Sequence, residues 1–186
     1  MVDEIRLHGS GGQGVVVSGE LIAIAASFEE KFCRAFSVYG AARRGAAVVA
    51  FAQIGSPEEA TRAQVYTPKY LFILDPKMLG SSDIVRGLRE DGVIVANSNK
   101  EPEEVAESLK TRVSKVGILD ATAIGIETLG KPIPNTALLG AFAKATGLIS
   151  LASLEKAIRK RFDGEAADLN VKAAEIGYER VRIKEF

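Results

Sequence analysis

"RLHGSGGQGVVVSGELI", residues 6–22, is the stretch on which the fold turns. Between a short apolar run and a longer one, Gly9, Ser10, Gly11, Gly12 and Gly14 leave almost no side chain. Residues 4–8 read as a strand and Val15–Phe28 as a helix, so the glycines occupy a strand-to-helix turn. The spacing Gly9-x-Gly11-x-x-Gly14 matches the dinucleotide fingerprint, in which backbone N–H groups approach a pyrophosphate at a helix N-terminus. A tight turn with close helix–sheet packing accounts for one or two glycines. Four, with Gln13 embedded among them, predict a loop that contacts an anion or a partner.

The fingerprint also asks for an acid at the end of the second strand, to bond ribose hydroxyls. That strand is Phe32–Phe36, and Ser37 and Tyr39 stand at its end; Glu29 and Glu30 precede it. Arg43 and Arg44 suit a 2′-phosphate, which keeps a free-standing NADP-binding Rossmann-type oxidoreductase as the alternative reading. Such an enzyme would lack an evident acid–base constellation. The single histidine, His8, precedes the loop and reads as a strand-end residue with a backbone partner, and no Tyr-x-x-x-Lys pair follows a strand.

Outward from the loop the pattern is α/β. Ala46–Ile54, Tyr70–Leu74, Val93–Ala96 and Val116–Leu119 read as strands, several closing in polar residues (Asp75, Asn97, Asp120) as parallel strands do at their carboxyl ends. Pro102–Leu109 reads as a short helix with acids in its first turn. From Asn135, read as an N-cap, the chain turns helical: one helix ends at Gly147, one runs from Ser153 to Phe162, and the last starts at Asp168. The helix after the glycine loop is apolar nearly all round, which predicts burial on more than one face. The expectation is a single domain over 1–186, α/β, a mostly parallel sheet flanked by helices with a helical C-terminal part.

Composition narrows the function. Lys plus Arg and Asp plus Glu both number 24, so no overall field attracts nucleic acid or an anionic membrane. No apolar run approaches the roughly 20 residues of a membrane span, and no leader pattern opens the chain, so a cytoplasmic protein is expected. One cysteine, Cys33, holds neither a disulfide nor a zinc or iron–sulfur site by itself.

"GSGGQGVVVSGELIAIAA", "SVYGAARRGAA", "NTALLGAFAKATGLISLASLEKAI" and "NVKAAEIGYE", in that order, resemble the gamma subunit of the 2-oxoacid:ferredoxin oxidoreductases along nearly the whole chain. That resemblance implies CoA-dependent oxidative decarboxylation of a 2-oxoacid to an acyl-CoA, with ferredoxin reduced. It places thiamine diphosphate, Mg and [4Fe-4S] clusters in partner alpha, beta and delta subunits. No catalytic or metal-binding residue is expected in this chain. It implies contact with CoA phosphate or with partner subunits through Gly9, Ser10, Gly11, Gly12, Gln13, Gly14, Ser37, Tyr39, Gly40, Arg44, Gly45 and Asn135. The isolated chain is expected to be inactive, and an apolar face left by missing partners is compatible with a homodimer. Two positions depart from the family's Tyr-Gly-x-Glu-x-Arg-Gly-Gly loop: Ala42 stands for the acid and Ala46 for the second glycine.

Overall fold

The computed structural model describes residues 2–38, 45–58 and 64–186. Its strands are β1 (Asp3–Ser10), β2 (Phe32–Val38), β3 (Ala47–Gly55), β4 (Tyr70–Ile73), β5 (Val93–Asn97), β6 (Lys115–Leu119) and β7 (Arg182–Glu185). Its helices are α1 (Val15–Phe28), α2 (Pro102–Leu109), α3 (Ala121–Leu129), α4 (Asn135–Thr146), α5 (Leu151–Arg161) and α6 (Gly164–Arg180). The strands form one sheet in the order β2-β3-β1-β4-β5-β6-β7.

The centre of that sheet, β1, β4, β5 and β6, is parallel. On one side β3 lies antiparallel to β1 and β2 antiparallel to β3, so β2 points the same way as the centre; on the other side β7 is antiparallel to β6. The mostly parallel α/β domain read from the sequence is therefore what forms. The departure lies next to the glycine loop: the neighbour of β1 is the antiparallel β3, so β1-α1-β2 is not the adjacent parallel unit of a dinucleotide-binding fold.

Each face of the sheet carries its own core. Alternation along β1 sends Ile5 and Leu7 to the side covered by α1, α4, α5 and α6, where Leu21, Ile22, Leu138, Phe142 and Leu154 are fully buried. Phe142 meets Phe72 edge-on, ring centroids 5.7 Å apart. On the opposite face Leu71, Ile73, Ile94 and Ile118 pack with Ile84, Val105 and Leu109. α1 lies against the sheet and α5, which explains its apolar composition: Leu21, Ile22, Ala25 and Ala26 are buried together with Ser18 and Gly19.

Helix boundaries differ from the sequence reading where caps decide them. Asn135 is the first residue of α4, and Pro134 stands at the cap without a side-chain bond. α5 begins at Leu151, because the Ser150 hydroxyl accepts the Ser153 N–H at 3.2 Å. α6 begins at Gly164 rather than Asp168, and α3 and β7 are additional elements. Asp120, which reads as a polar strand end, caps α3 by accepting the Ala123 N–H at 2.9 Å.

α4 and α6 cross closely through reciprocal glycines. A Cβ at Gly140 would lie 1.9 Å from the Ala174 carbonyl oxygen, and one at Gly177 1.9 Å from that of Ala137. The Thr136 hydroxyl donates to Asn170 Oδ1 at 2.9 Å inside the same crossing. The spaced motifs Asn135-x-x-x-Leu139-Gly140 and Asn170-x-x-Ala173-x-x-x-Gly177 thus have a shared physical cause: backbone-to-backbone packing that carries the start of α4 to the glycine loop.

Candidate functional site

The glycine loop sits at the carboxyl end of β1, where the sheet's connections diverge: β1 leads into α1 on one face, β4 into the turn and α2 side on the other. The glycines do different jobs. Gly9 has no room for a side chain, since a Cβ there would approach Val15 Cγ2 to 2.7 Å. Gly12 (φ 99°) stands in open space and is required by its backbone alone. Gly14 (φ 83°) needs both: it caps α1 in the left-handed region, and a Cβ would meet Asn135 Nδ2 at 2.5 Å.

Several loop N–H groups are already committed inside the chain. Ser10 donates to Gln13 Oε1 at 2.8 Å, Gln13 to the Ser10 carbonyl at 3.1 Å, and Gly11 to the Ala46 carbonyl at 2.9 Å. The Ser10 bond fixes the Gln13 carboxamide with its Nε2 turned away from Ser10. Ser18 N–H is the first to close an α1 bond, onto Gly14. The N–H groups of Gly12, Gly14 and the first turn of α1 have no partner among the described residues, and no side chain caps the helix. These are the groups that favour an anion.

Behind the loop, Asp75 at the end of β4 accepts the Ser10 hydroxyl on one oxygen and the Lys77 N–H, at 3.0 Å, on the other; it is 8% exposed. Its charge disfavours an anion on the Ser10 side and leaves the Gly12–Gly14 side as the electropositive end. Sequence spacing had marked Asp75 only as a strand end. Its contact with Ser10, 65 residues away in the chain, follows from β1 and β4 being parallel neighbours. Asn97 is saturated by comparison: it donates to the Leu74 carbonyl and Thr122 Oγ1 and accepts from Ala121 and Thr122, which holds the start of α3.

Gly12, Gly14 and Asn135 border a cavity of about 470 Å³. Val17, Leu129, Phe162 and Leu169 supply apolar walls, with Lys131 and Glu165 at its exposed rim. Asn135 is 4% exposed, lines this cavity and makes no side-chain hydrogen bond among the described residues. Gly9–Gly14 and Asn135 are therefore brought together. Gly45 (φ 88°) ends the second loop beside Ala46, whose carbonyl ties that loop to Gly11. Ser37 lies elsewhere, on β2 across α1, beside a groove of about 150 Å³ with Val16 and Gly19. Tyr39, Gly40, Arg43 and Arg44 lie outside the described residues.

His8 faces the other side of the sheet. Its partner is a side chain rather than a backbone group: Arg6 Nε donates to His8 Nε2 at 2.9 Å, while Arg6 Nη2 holds the carbonyls of Ile84 and Arg86. Burial, reinforced by the Arg6 charge, pulls the imidazole down to about 4, so it is neutral near pH 7. Burial pushes the Cys33 thiol up to about 12, against a backbone hydrogen bond from Gln53 that lowers it. No group of three or more His, Cys, Asp or Glu suited to a metal occurs among the described residues, and no described helix is long and apolar enough to cross a membrane.

The geometry defines an α/β domain with an uncapped helix start on a partly apolar cavity. Comparison with known proteins makes the class specific. The profile of the family "Pyruvate ferredoxin/flavodoxin oxidoreductase" matches residues 4–180. The chain is 46% identical to the pyruvate/ketoisovalerate oxidoreductases common subunit gamma of Pyrococcus abyssi, over 98% of each chain. It is 42% identical to pyruvate synthase subunit PorC of Methanocaldococcus jannaschii, over 94% of each. The crystal structure of pyruvate oxidoreductase subunit PORC from Thermotoga maritima superposes with a TM-score of 0.88 at 37% identity, covering 99% of both chains. The chain belongs to the pyruvate ferredoxin/flavodoxin oxidoreductase family, as a gamma-type subunit of a multi-subunit oxidoreductase with ferredoxin as acceptor.

Proposed function

We propose that this subunit works within an assembled, cytoplasmic 2-oxoacid:ferredoxin oxidoreductase that converts a 2-oxoacid and coenzyme A to an acyl-CoA and carbon dioxide, passing the electrons to ferredoxin. Thiamine diphosphate with its Mg ion, and the [4Fe-4S] clusters, belong on this reading to alpha, beta and delta partner subunits. The chain itself supplies no reacting group. It holds coenzyme A by its phosphates, at the N–H groups of Gly12 and Gly14 and the first turn of α1, with the Arg44 guanidinium as counter-charge. Gln13 Nε2, turned away from Ser10, adds a donor to that set.

The observation that carries this reading is that Gly12 and Gly14, whose N–H groups have no partner among the described residues, border the cavity beside Asn135. The antiparallel β3 stands beside β1 where a dinucleotide-binding fold has the parallel strand that ends in its ribose-binding acid. In the assembled enzyme, Arg44→Ala is expected to raise the KM for coenzyme A about tenfold, the scale of one charge-assisted contact. An unchanged KM for coenzyme A in Arg44→Ala, and in Gly12→Val as well, would count against the phosphate reading.

A further inference from the structure

We propose that the recess in front of His8, on the sheet face turned away from the glycine-loop cavity, binds the carboxylate of a short aliphatic acid. It is independent of the coenzyme A reading, because the sheet lies between the two cavities. Strand pairing sets His8 beside Val49 of β3 and Ile73 of β4. The recess, about 290 Å³, has Ala47, Val49, Met78 and Ile84 among its walls, with the half-buried imidazole set between them. Ser81 and Asp83 stand at its exposed rim. An apolar pocket with a fixed polar anchor is the usual form of a small-molecule site.

The hydrogen bonds of His8 decide what the anchor offers. Arg6 Nε donates to His8 Nε2 at 2.9 Å, and a guanidinium can only donate, so Nε2 carries the lone pair. The ring is neutral near pH 7, which puts its one proton on Nδ1. Nδ1 makes no hydrogen bond among the described residues. The one sealed, unbonded side-chain atom among those residues is Gln53 Oε1, so the Nδ1–H stays open to the recess.

Charge behind the ring selects the acceptor. Arg6 is 8% exposed and is held by His8 and by the carbonyls of Ile84 and Arg86. Burial alone pulls its guanidinium below the ordinary value, and no carboxylate among the described residues counters that. A buried cation without a counter-ion is costly, and an anion in the recess lowers that cost. The guanidinium on Nε2 also polarises the imidazole, so Nδ1–H becomes a stronger donor without the ring taking up a proton. Asp83 at the rim opposes a second negative charge, which favours a monocarboxylate with an aliphatic tail on Val49, Met78 and Ile84.

The chain has one histidine, so nitrogen-15 labelling of its imidazole gives a single Nδ1–H signal to follow by NMR in the full-length chain. Isobutyrate is expected to move that proton downfield and to saturate at millimolar concentration, the scale for a ligand of so few heavy atoms. Isobutyramide, the neutral isostere, and succinate should each bind about tenfold more weakly or worse. Ala47→Phe places a ring in the recess from an exposed strand position and should abolish the response while leaving the free imidazole signal in place. In the assembled enzyme, equilibrium dialysis should count one isobutyrate site fewer per copy of this chain in Ala47→Phe. No saturable shift, equal affinity for the amide, or binding that survives Ala47→Phe would overturn the proposal. Binding by the free chain that vanishes on assembly would overturn the small acid as occupant and put a partner subunit's carboxyl side chain on His8.

Discussion

At the scale of single residues, glycine in the loop is not one requirement but several. Gly12 and Gly14 both adopt positive φ, yet only Gly14 is also crowded by a neighbouring side chain. Gly12→Ala should cost about 1–2 kcal/mol, the left-handed penalty alone. Gly14→Ala adds displacement of the buried Asn135 from its contact and should cost more, about 2–4 kcal/mol in total. Urea unfolding of the isolated chain measures both, and equal losses would show that Asn135 moves aside freely. The loop was legible in the sequence because positive φ leaves a compositional mark. Asp75 and the cavity were not: Ser10 meets Asp75, and Val17 and Phe162 line one cavity, through tertiary placement that no short spacing records.

At the scale of elements, the α4–α6 crossing carries the site. Asn135 stands where it does because α4 can approach α6 to backbone contact at Gly140 and Gly177. A methyl group at either position meets a carbonyl oxygen, which cannot rotate away as a side chain would. Gly140→Ala or Gly177→Ala should each cost about 3 kcal/mol. The two together should cost less than the sum, since separating the helices once relieves both clashes. A strictly additive double variant would show two independent contacts instead. Legibility here followed local signals. α1 was readable from Val15 to Phe28 as one apolar run between a glycine cap and Glu29-Glu30. α3 escaped because Asp120 serves equally as a strand end and a cap, and β7, Arg-Ile-Lys-Glu, because every residue in it is exposed and no alternation marks it. α6 starts at Gly164, before Asp168, with Asp163 at its cap, where it makes no side-chain bond.

At the scale of the whole molecule, the groups whose protonation changes on folding set a pH window of stability. His8 is held at about 4 against an ordinary 6.5, so below pH 6.5 the unfolded chain takes up a proton that the folded chain refuses. Stability therefore falls as pH drops from 6.5 toward 4. The full difference sets a ceiling of about 3 kcal/mol, and partial solvation of the imidazole brings the expected loss to about 1–2 kcal/mol. Burial opposes the ionised form of Glu29, but hydrogen bonds from Lys31, from the Ser150 N–H at 2.7 Å and from Ser153 outweigh it and hold the carboxyl at about 2. That bond ties the end of α1 to the start of α5, and its contribution is present above pH 4.5 and lost as pH falls toward 2. Cys33 acts at the other end. Its thiol is raised from 9 to about 12, so above pH 9 the unfolded chain loses a proton that the folded chain keeps, and stability falls as pH rises. The denaturation midpoint should be flat between about pH 7 and 9 and fall on either side. The chain has one histidine, so the decline between pH 6.5 and 4.5 has a single owner. His8→Gln keeps an acceptor for Arg6 but cannot titrate, and should flatten that segment while leaving the steeper fall below pH 4.5. Cys33→Ala should lessen the fall on the alkaline side without touching the acid side, and Tyr70, whose phenol burial also raises from its ordinary 10, keeps the remaining share. An acid limb unchanged in His8→Gln would mean that the carboxylates, not the buried imidazole beside Arg6, set the lower edge of the window.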